Sequence, residues 1–192
     1  MRLPFGLLLA CAMGLALTSC KPPRDLTKDI RYRYETVVNF GADGHSERFR
    51  RWGWSDTEKN FTWTVGTSSK LQLQIPPTNR PLGLRMRLAA NFKEPELPIQ
   101  PVLVFVNGKQ LAEWHVALAE HFRVVIPREL LRSDRLLEIK LNMPRATSPR
   151  LLGLKDDPRI LGVSCYEFEI TRAMNILDIW PDAAAGIVDN AK

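Results

Sequence analysis

Apolar and polar residues alternate at a period of two through most of this chain, the period of a β-strand lying half on a core and half in water. Leu71, Leu73 and Ile75 share one parity, as do Leu82, Leu84, Met86 and Leu88. Phe122, Val124 and Ile126 repeat the pattern, and so do Leu137, Ile139 and Leu141. Gln72, Gln74, Arg85, Arg87, Glu138 and Lys140 hold the opposite parity, where a solvated face is expected. Residues 102–106 are apolar on both parities, which predicts a central strand covered on both faces. Turn chemistry punctuates these segments. Asn107-Gly108 predicts a two-residue hairpin, because both residue types tolerate positive φ. Pro76-Pro77-Thr78-Asn79 separates two strands, and residues 41–44 end an expected strand over 34–40. Residues 127–132 fit one helical turn, and 144–157 read as a long loop with little pattern. The expected fold class is all-β: a single jelly-roll or β-sandwich domain over residues 31–173 with short terminal helical segments. Residues 174–192 form a tail, small and polar towards its end.

The N-terminus predicts an address. Arg2 is followed by an apolar run over residues 7–17 and then by Leu17-Thr18-Ser19-Cys20. Basic start, apolar run and small-residue cleavage site come in the order of an export signal. The run is shorter than the ~20 apolar residues of a spanning helix. Leu17-Thr18-Ser19-Cys20 resembles the lipobox of bacterial lipoproteins, in which the cysteine is lipidated and becomes the mature N-terminus. The resemblance implies a signal peptide over residues 1–19, lipid attachment at Cys20, and a lipidated tether over residues 20–30. Lys21-Pro22-Pro23-Arg24-Asp25 would keep that tether stiff and solvated. The expected location is the bacterial cell envelope. Lys21 is not the aspartate that retains enterobacterial lipoproteins in the inner membrane, which favours the periplasmic side of the outer membrane.

Cleavage after residue 19 of 192 leaves 173 residues, enough for one domain with its own core. Of the three cysteines, Cys11 leaves with the signal and Cys20 takes lipid, so Cys165 has no partner for an intramolecular disulfide. Its apolar strand setting makes it a small core residue. Losing Arg2 lowers the formal charge from +6 to +5. The basic residues are spread through strand-like segments, and export separates the chain from nucleic acid, so a nucleic-acid partner is not expected. A solvated surface rich in Arg, or loose attraction to anionic envelope polymers, accounts for the charge.

Four tryptophans and three charged residues are candidates for binding. Trp52, Trp54, Trp63 and Trp114 are amphipathic plates on which a sugar ring can stack when exposed, or core residues when buried. Trp52 and Trp54 share parity and are expected to face the same side. Glu58, Asp157 and Arg159 would meet if the first and last core strands are neighbours. An Arg159–carboxylate contact would then clamp the long loop to the entry strands, or offer a polar rim to glycan hydroxyls.

A series of short motifs runs through the same region. Gly53-Trp54-Ser55-x-x-Glu58 is followed by Phe61-Thr62-Trp63-Thr64-x-Gly66, Val106-Asn107-Gly108 and Ile126-Pro127. Ser148-Pro149 and Asp157-Pro158-Arg159-x-Leu161-Gly162 close the series. Together these resemble the carbohydrate-binding-module, or galactose-binding-like, β-sandwich attached to some bacterial glycosyltransferases and sugar-modifying enzymes. The resemblance covers residues 51–170 and implies a jelly roll associated with envelope polysaccharide, without catalysis in the domain. A lone domain on a lipid anchor departs from the enzyme-attached arrangement.

Enzyme motifs are sparse. Glu58 with Asp157 can be cast as a glycosidase pair, but two carboxyls are common in any chain. His45, His115 and His121 show no zinc spacing, and there is no nucleophile elbow or phosphate loop. Asp156-Asp157, joined by backbone carbonyls, offers the kind of oxygen ligands that a structural Ca²⁺ takes. The expectation is therefore a non-catalytic protein with no cofactor that binds or organises envelope glycans. The alternative is a structural or assembly lipoprotein that docks a protein partner. Replacing Cys20 with Ala should leave the fold intact and move the protein out of the membrane fraction. Retention there, measured by fractionation and immunoblot, would contradict lipid anchoring.

Overall fold

The computed structural model describes residues 29–90 and 95–172, so the signal, the anchor cysteine and the tail lie outside it, as do the expected terminal helical segments. Among the described residues ten strands form two sheets: β1 (Val38–Asn39), β2 (Trp54–Thr57), β3 (Thr62–Val65), β4 (Ser68–Gln74) and β5 (Leu82–Ala90) come first. They are followed by β6 (Gln100–Val106), β7 (Lys109–Val116), β8 (Glu120–Ile126), β9 (Leu136–Asn142) and β10 (Leu161–Arg172). One sheet runs β2-β3-β10-β5-β8 with β1 also paired to β10, and the other runs β4-β9-β6-β7. Every ladder between these strands is antiparallel. The fold is an all-β sandwich, as the alternation predicts.

The apolar parity of each strand makes the core. Leu71, Leu73, Leu137, Ile139 and Leu141 from one sheet meet Leu82, Leu84, Met86, Leu88 and Phe168 from the other in one cluster, all without solvent exposure. Truncating any of these leucines to Ala would lose the transfer energy and leave a cavity, about 2–5 kcal/mol. The buried Cys165 belongs to the same cluster, and burial pushes its thiol pKa up, which keeps it unreactive. Asn107 and Gly108 both take positive φ, 47° and 89°, and close the β6–β7 hairpin as expected. The Asn107 side chain also accepts from the Glu138 backbone N–H and donates to the Leu130 carbonyl, so the turn is pinned to its neighbours.

Three local expectations change. The strand expected over 34–40 shrinks to Val38–Asn39, because Tyr34 and Glu35 form a turn with Glu35 at φ 58°. Strand β6 is central, but only one of its faces is fully buried. Leu103 and Phe105 are half-buried on the other, with Lys140 Nζ 5.6 Å above the Phe105 ring. Trp52 and Trp54 do not share a face. Gly53 sits between them at φ 78°, and a Cβ there would strike the Ser68 carbonyl, so the chain turns and β2 starts only at Trp54.

A buried arginine fastens the entry segment. Arg50 is 4% exposed, and its Nη1 donates to the Ser55 carbonyl at 3.3 Å and Thr62 Oγ1 at 3.1 Å. Nη2 donates to Thr57 Oγ1 at 3.0 Å and pairs with Glu47 at 3.1 Å. One guanidinium thus holds the 3-10 turn Ser46–Arg48 against β2 and β3. Replacing Arg50 with Ala strands these acceptors and should cost about 3 kcal/mol in urea unfolding. A loss below about 1 kcal/mol would show that the network is dispensable.

Candidate functional site

Strand β10 lies beside β3, so the loop leading into β10 arrives next to the β2–β3 hairpin. A cavity of about 410 Å³ opens between them, lined by Glu58, Phe61, Trp63, Leu154, Asp157 and Arg159, with Pro149, Lys155 and Leu161 completing its wall. Glu58 and Phe61 are placed by the hairpin turn, where the Glu58 N–H donates to the Phe61 carbonyl at 2.9 Å. Trp63 points outward because its neighbours Thr62 and Thr64 are buried. Its ring meets Phe61 edge-to-face at 5.4 Å. The loop, patternless in sequence, is ordered by backbone bonds. Thr147 and Leu161 exchange two bonds across its base, and Leu154 N–H donates to the Pro149 carbonyl at 2.9 Å. The Gly66 N–H reaches the Ile160 carbonyl at 2.8 Å and ties the loop's end to the turn after β3.

Glu58, Asp157 and Arg159 line one cavity, the meeting that the sequence suggests, and Trp63 lies with them, whereas the candidates Trp52, Trp54 and Trp114 do not. Trp54 is 8% exposed, packs on Phe40 at 5.2 Å, and donates from Nε1 to the Lys70 carbonyl at 2.9 Å. Trp114 is 6% exposed, packs on Phe122, and donates to the Arg123 carbonyl at 3.3 Å, joining the edges of the two sheets. Both are core residues with satisfied indoles. Trp52 is 46% exposed but does not line the cavity.

The expected clamp takes a different form. Arg159 does not reach across to the entry strands but grips Asp157 two residues before it, Nη2 to Oδ2 at 2.7 Å and Nε to both oxygens at 3.1 Å. The Arg159 N–H closes the same turn on Asp157 Oδ1 at 3.0 Å. Proline between them favours such a tight turn, so the contact is local. Arg159's pKa is raised chiefly by its bond to Asp157. Desolvation opposes this, and the nearby charges of Glu58 and Asp56 add to the rise. Asp156 is held by Arg150 Nε at 2.7 Å. Both aspartates are thus engaged by arginines, and the described residues hold no group of three His, Cys, Asp or Glu side chains that could hold a metal. Asp157 is also unsuited to the general-acid role in a Glu58–Asp157 glycosidase pair. Arg159 holds the Asp157 carboxyl down at about 2, whereas a general acid needs its pKa raised.

Phe61 and Leu154 also line the cavity, and neither is among the binding candidates read from the sequence. Phe61 shares parity with Trp63 and was legible from that alone. Leu154 has no such signal, since its place depends on a loop with no period.

No protein-family model matches this sequence, and no curated protein matches it significantly. Among solved structures, the chain is similar to the CBM36-1 domain of a multidomain xylanase from the hindgut metagenome of Trinervitermes trinervoides. The identity is 11% and the TM-score 0.45, over 73% of this chain and 98% of that one. It is similar also to a family 35 carbohydrate binding module from Clostridium thermocellum, with 12% identity and a TM-score of 0.45 over 72% and 99%. A third is the CBM22-1 xylan-binding domain from Paenibacillus barcinonensis, with 12% identity and a TM-score of 0.46 over 71% and 92%.

The Asp157–Arg159 pair makes a pH prediction. Because the Asp157 pKa is depressed, the pair is complete above the ordinary carboxyl value of 3.8 and is lost as pH falls through about 2. An NMR titration should place the Asp157 midpoint near 2, and Arg159→Ala should return it towards 3.8. A wild-type midpoint already near 3.8 would contradict the pairing.

Proposed function

We propose that this protein is a non-catalytic, glycan-binding lipoprotein, anchored at Cys20 and presenting the cavity beside β3 to envelope polysaccharide. One observation carries the proposal: two outward-facing aromatic rings, Trp63 and Phe61, floor a cavity whose rim holds Glu58, Lys155, Asp157 and Arg159. A sugar has an apolar C–H face and a polar edge, and this arrangement offers a partner to each. The Asp157–Arg159 ion pair fixes the rim side chains before any ligand arrives, which lowers the entropy cost of binding.

A second reading rests on the same loop. Leu151, Leu154 and Ile160 are 77%, 46% and 38% exposed there, an apolar set suited to docking a protein partner. Binding of the purified full-length chain to a panel of neutral and acidic envelope-type glycans separates the two. Glycan binding should appear, and Trp63→Ala should weaken it by about tenfold or more with little change in thermal midpoint. No binding to any glycan at high protein concentration would favour the docking reading.

A further inference from the structure

We infer that the sugar site continues past Trp63 along the outer face of the six-stranded sheet, and that it takes a single extended, uncharged polysaccharide chain. This rests on the glycan reading above and adds the class of glycan. A second cavity, of about 490 Å³, lies on the far side of Phe61, with Asn39, Asp43, Asn60, Arg87, Tyr166 and Glu167 in its lining. Three rings connect the two cavities. Trp63 to Phe61 is 5.4 Å between centroids, and Phe61 to Tyr166 is again 5.4 Å. Arg87 lies over Tyr166 at 4.8 Å, at the second cavity. The steps are comparable to the length of one pyranose unit, so successive sugars would meet successive rings.

Tyr166 is on this face because of a β-bulge. The register of β10 against β5 slips between Cys165 and Glu167, so Cys165 points into the core while Tyr166 and Glu167 are both half-exposed. A bulge re-aims a side chain at the cost of local pairing. The rings do not form one plane. Phe61 is turned 82° from Trp63 and 52° from Tyr166, which suits a single twisting chain and not a flat array of many.

Charge gives the second half of the inference. The first cavity sets Glu58 and Asp157 against Lys155 and Arg159, and the second sets Asp43 and Glu167 against Lys59 and Arg87. Neither carries a surplus, although the chain as a whole is strongly basic. A groove built for an acidic polymer would gather that excess, and this one does not. The Asn39 and Asn60 amides, each both donor and acceptor, match neutral hydroxyls.

Size-graded neutral gluco-, xylo- and manno-oligosaccharides, with oligogalacturonides as the acidic counterpart, test this by calorimetry on the full-length chain. Affinity for the preferred neutral series should rise with length by about tenfold or more and depend little on salt. Tyr166→Ala should remove that gain and leave binding of the shortest ligands unchanged. Arg87→Ala, which alters the same cavity without deleting a ring, serves if the tyrosine variant fails to fold. Equal affinity for short and long chains, or full length dependence in both variants, overturns the extended site while leaving the Trp63 site standing. Tighter, salt-sensitive binding of oligogalacturonides overturns the uncharged assignment. Absence of binding by every series removes both this inference and the glycan reading beneath it.

Discussion

Strand β10 is the element on which the rest of the molecule depends. It pairs with β5 along one edge from Val163 to Arg172, and with β3 and then β1 along the other. These contacts join residues 73 to 130 positions apart, so they form only once much of the chain is in place, at a high cost in loop closure. Phe168 repays part of that cost. It is fully buried and touches Tyr32, Phe40 and Phe49 with centroids 5.7–5.9 Å apart, which gathers the N-terminal segment onto the last strand. The Tyr32 hydroxyl seals the junction by donating to the Thr36 carbonyl and accepting from the Ile170 N–H at 2.8 Å.

The same strand sets the candidate binding face. Its pairing with β3 brings the loop before it against the β2–β3 hairpin, which creates the first cavity. Its bulge turns Tyr166 outward, which carries the aromatic line to the second. The candidate site is thus a consequence of how the sandwich closes, with binding groups borrowed from a strand, a hairpin turn and an ordered loop.

Much of the fold was legible in the sequence because burial on one sheet face enforces a period of two. The inward residues of β4, β5 and β9 match their alternation position by position, and Asn107-Gly108 took the backbone its residue types favour. Legibility failed where the period breaks. Counting back from Ile170 and Phe168 puts Tyr166 inside, and only the bulge reverses it. Counting from Trp52 to Trp54 puts both on one face, and only Gly53 separates them. Of the proposed site, Glu58, Asp157 and Arg159 could be named from the sequence through motif spacing and strand adjacency, and Trp63 as an aromatic plate, though not its place beside them. The partner of Arg159 could not, because a carboxylate two residues away competes better than one across a cavity. Arg50 was equally invisible, as an arginine in an exposed-looking run that the structure buries.

In the proposed function, ligand meets the outer face of the six-stranded sheet along Trp63, Phe61 and Tyr166. Amide chemical-shift mapping, with the best-bound neutral oligosaccharide titrated into isotope-labelled protein, tests this most directly. Shifts confined to residues 39–44, 58–63, 87, 149–161 and 166–167, with β6, β7 and β9 silent, are the predicted result. Shifts centred on the outer face of the four-stranded sheet would contradict the account.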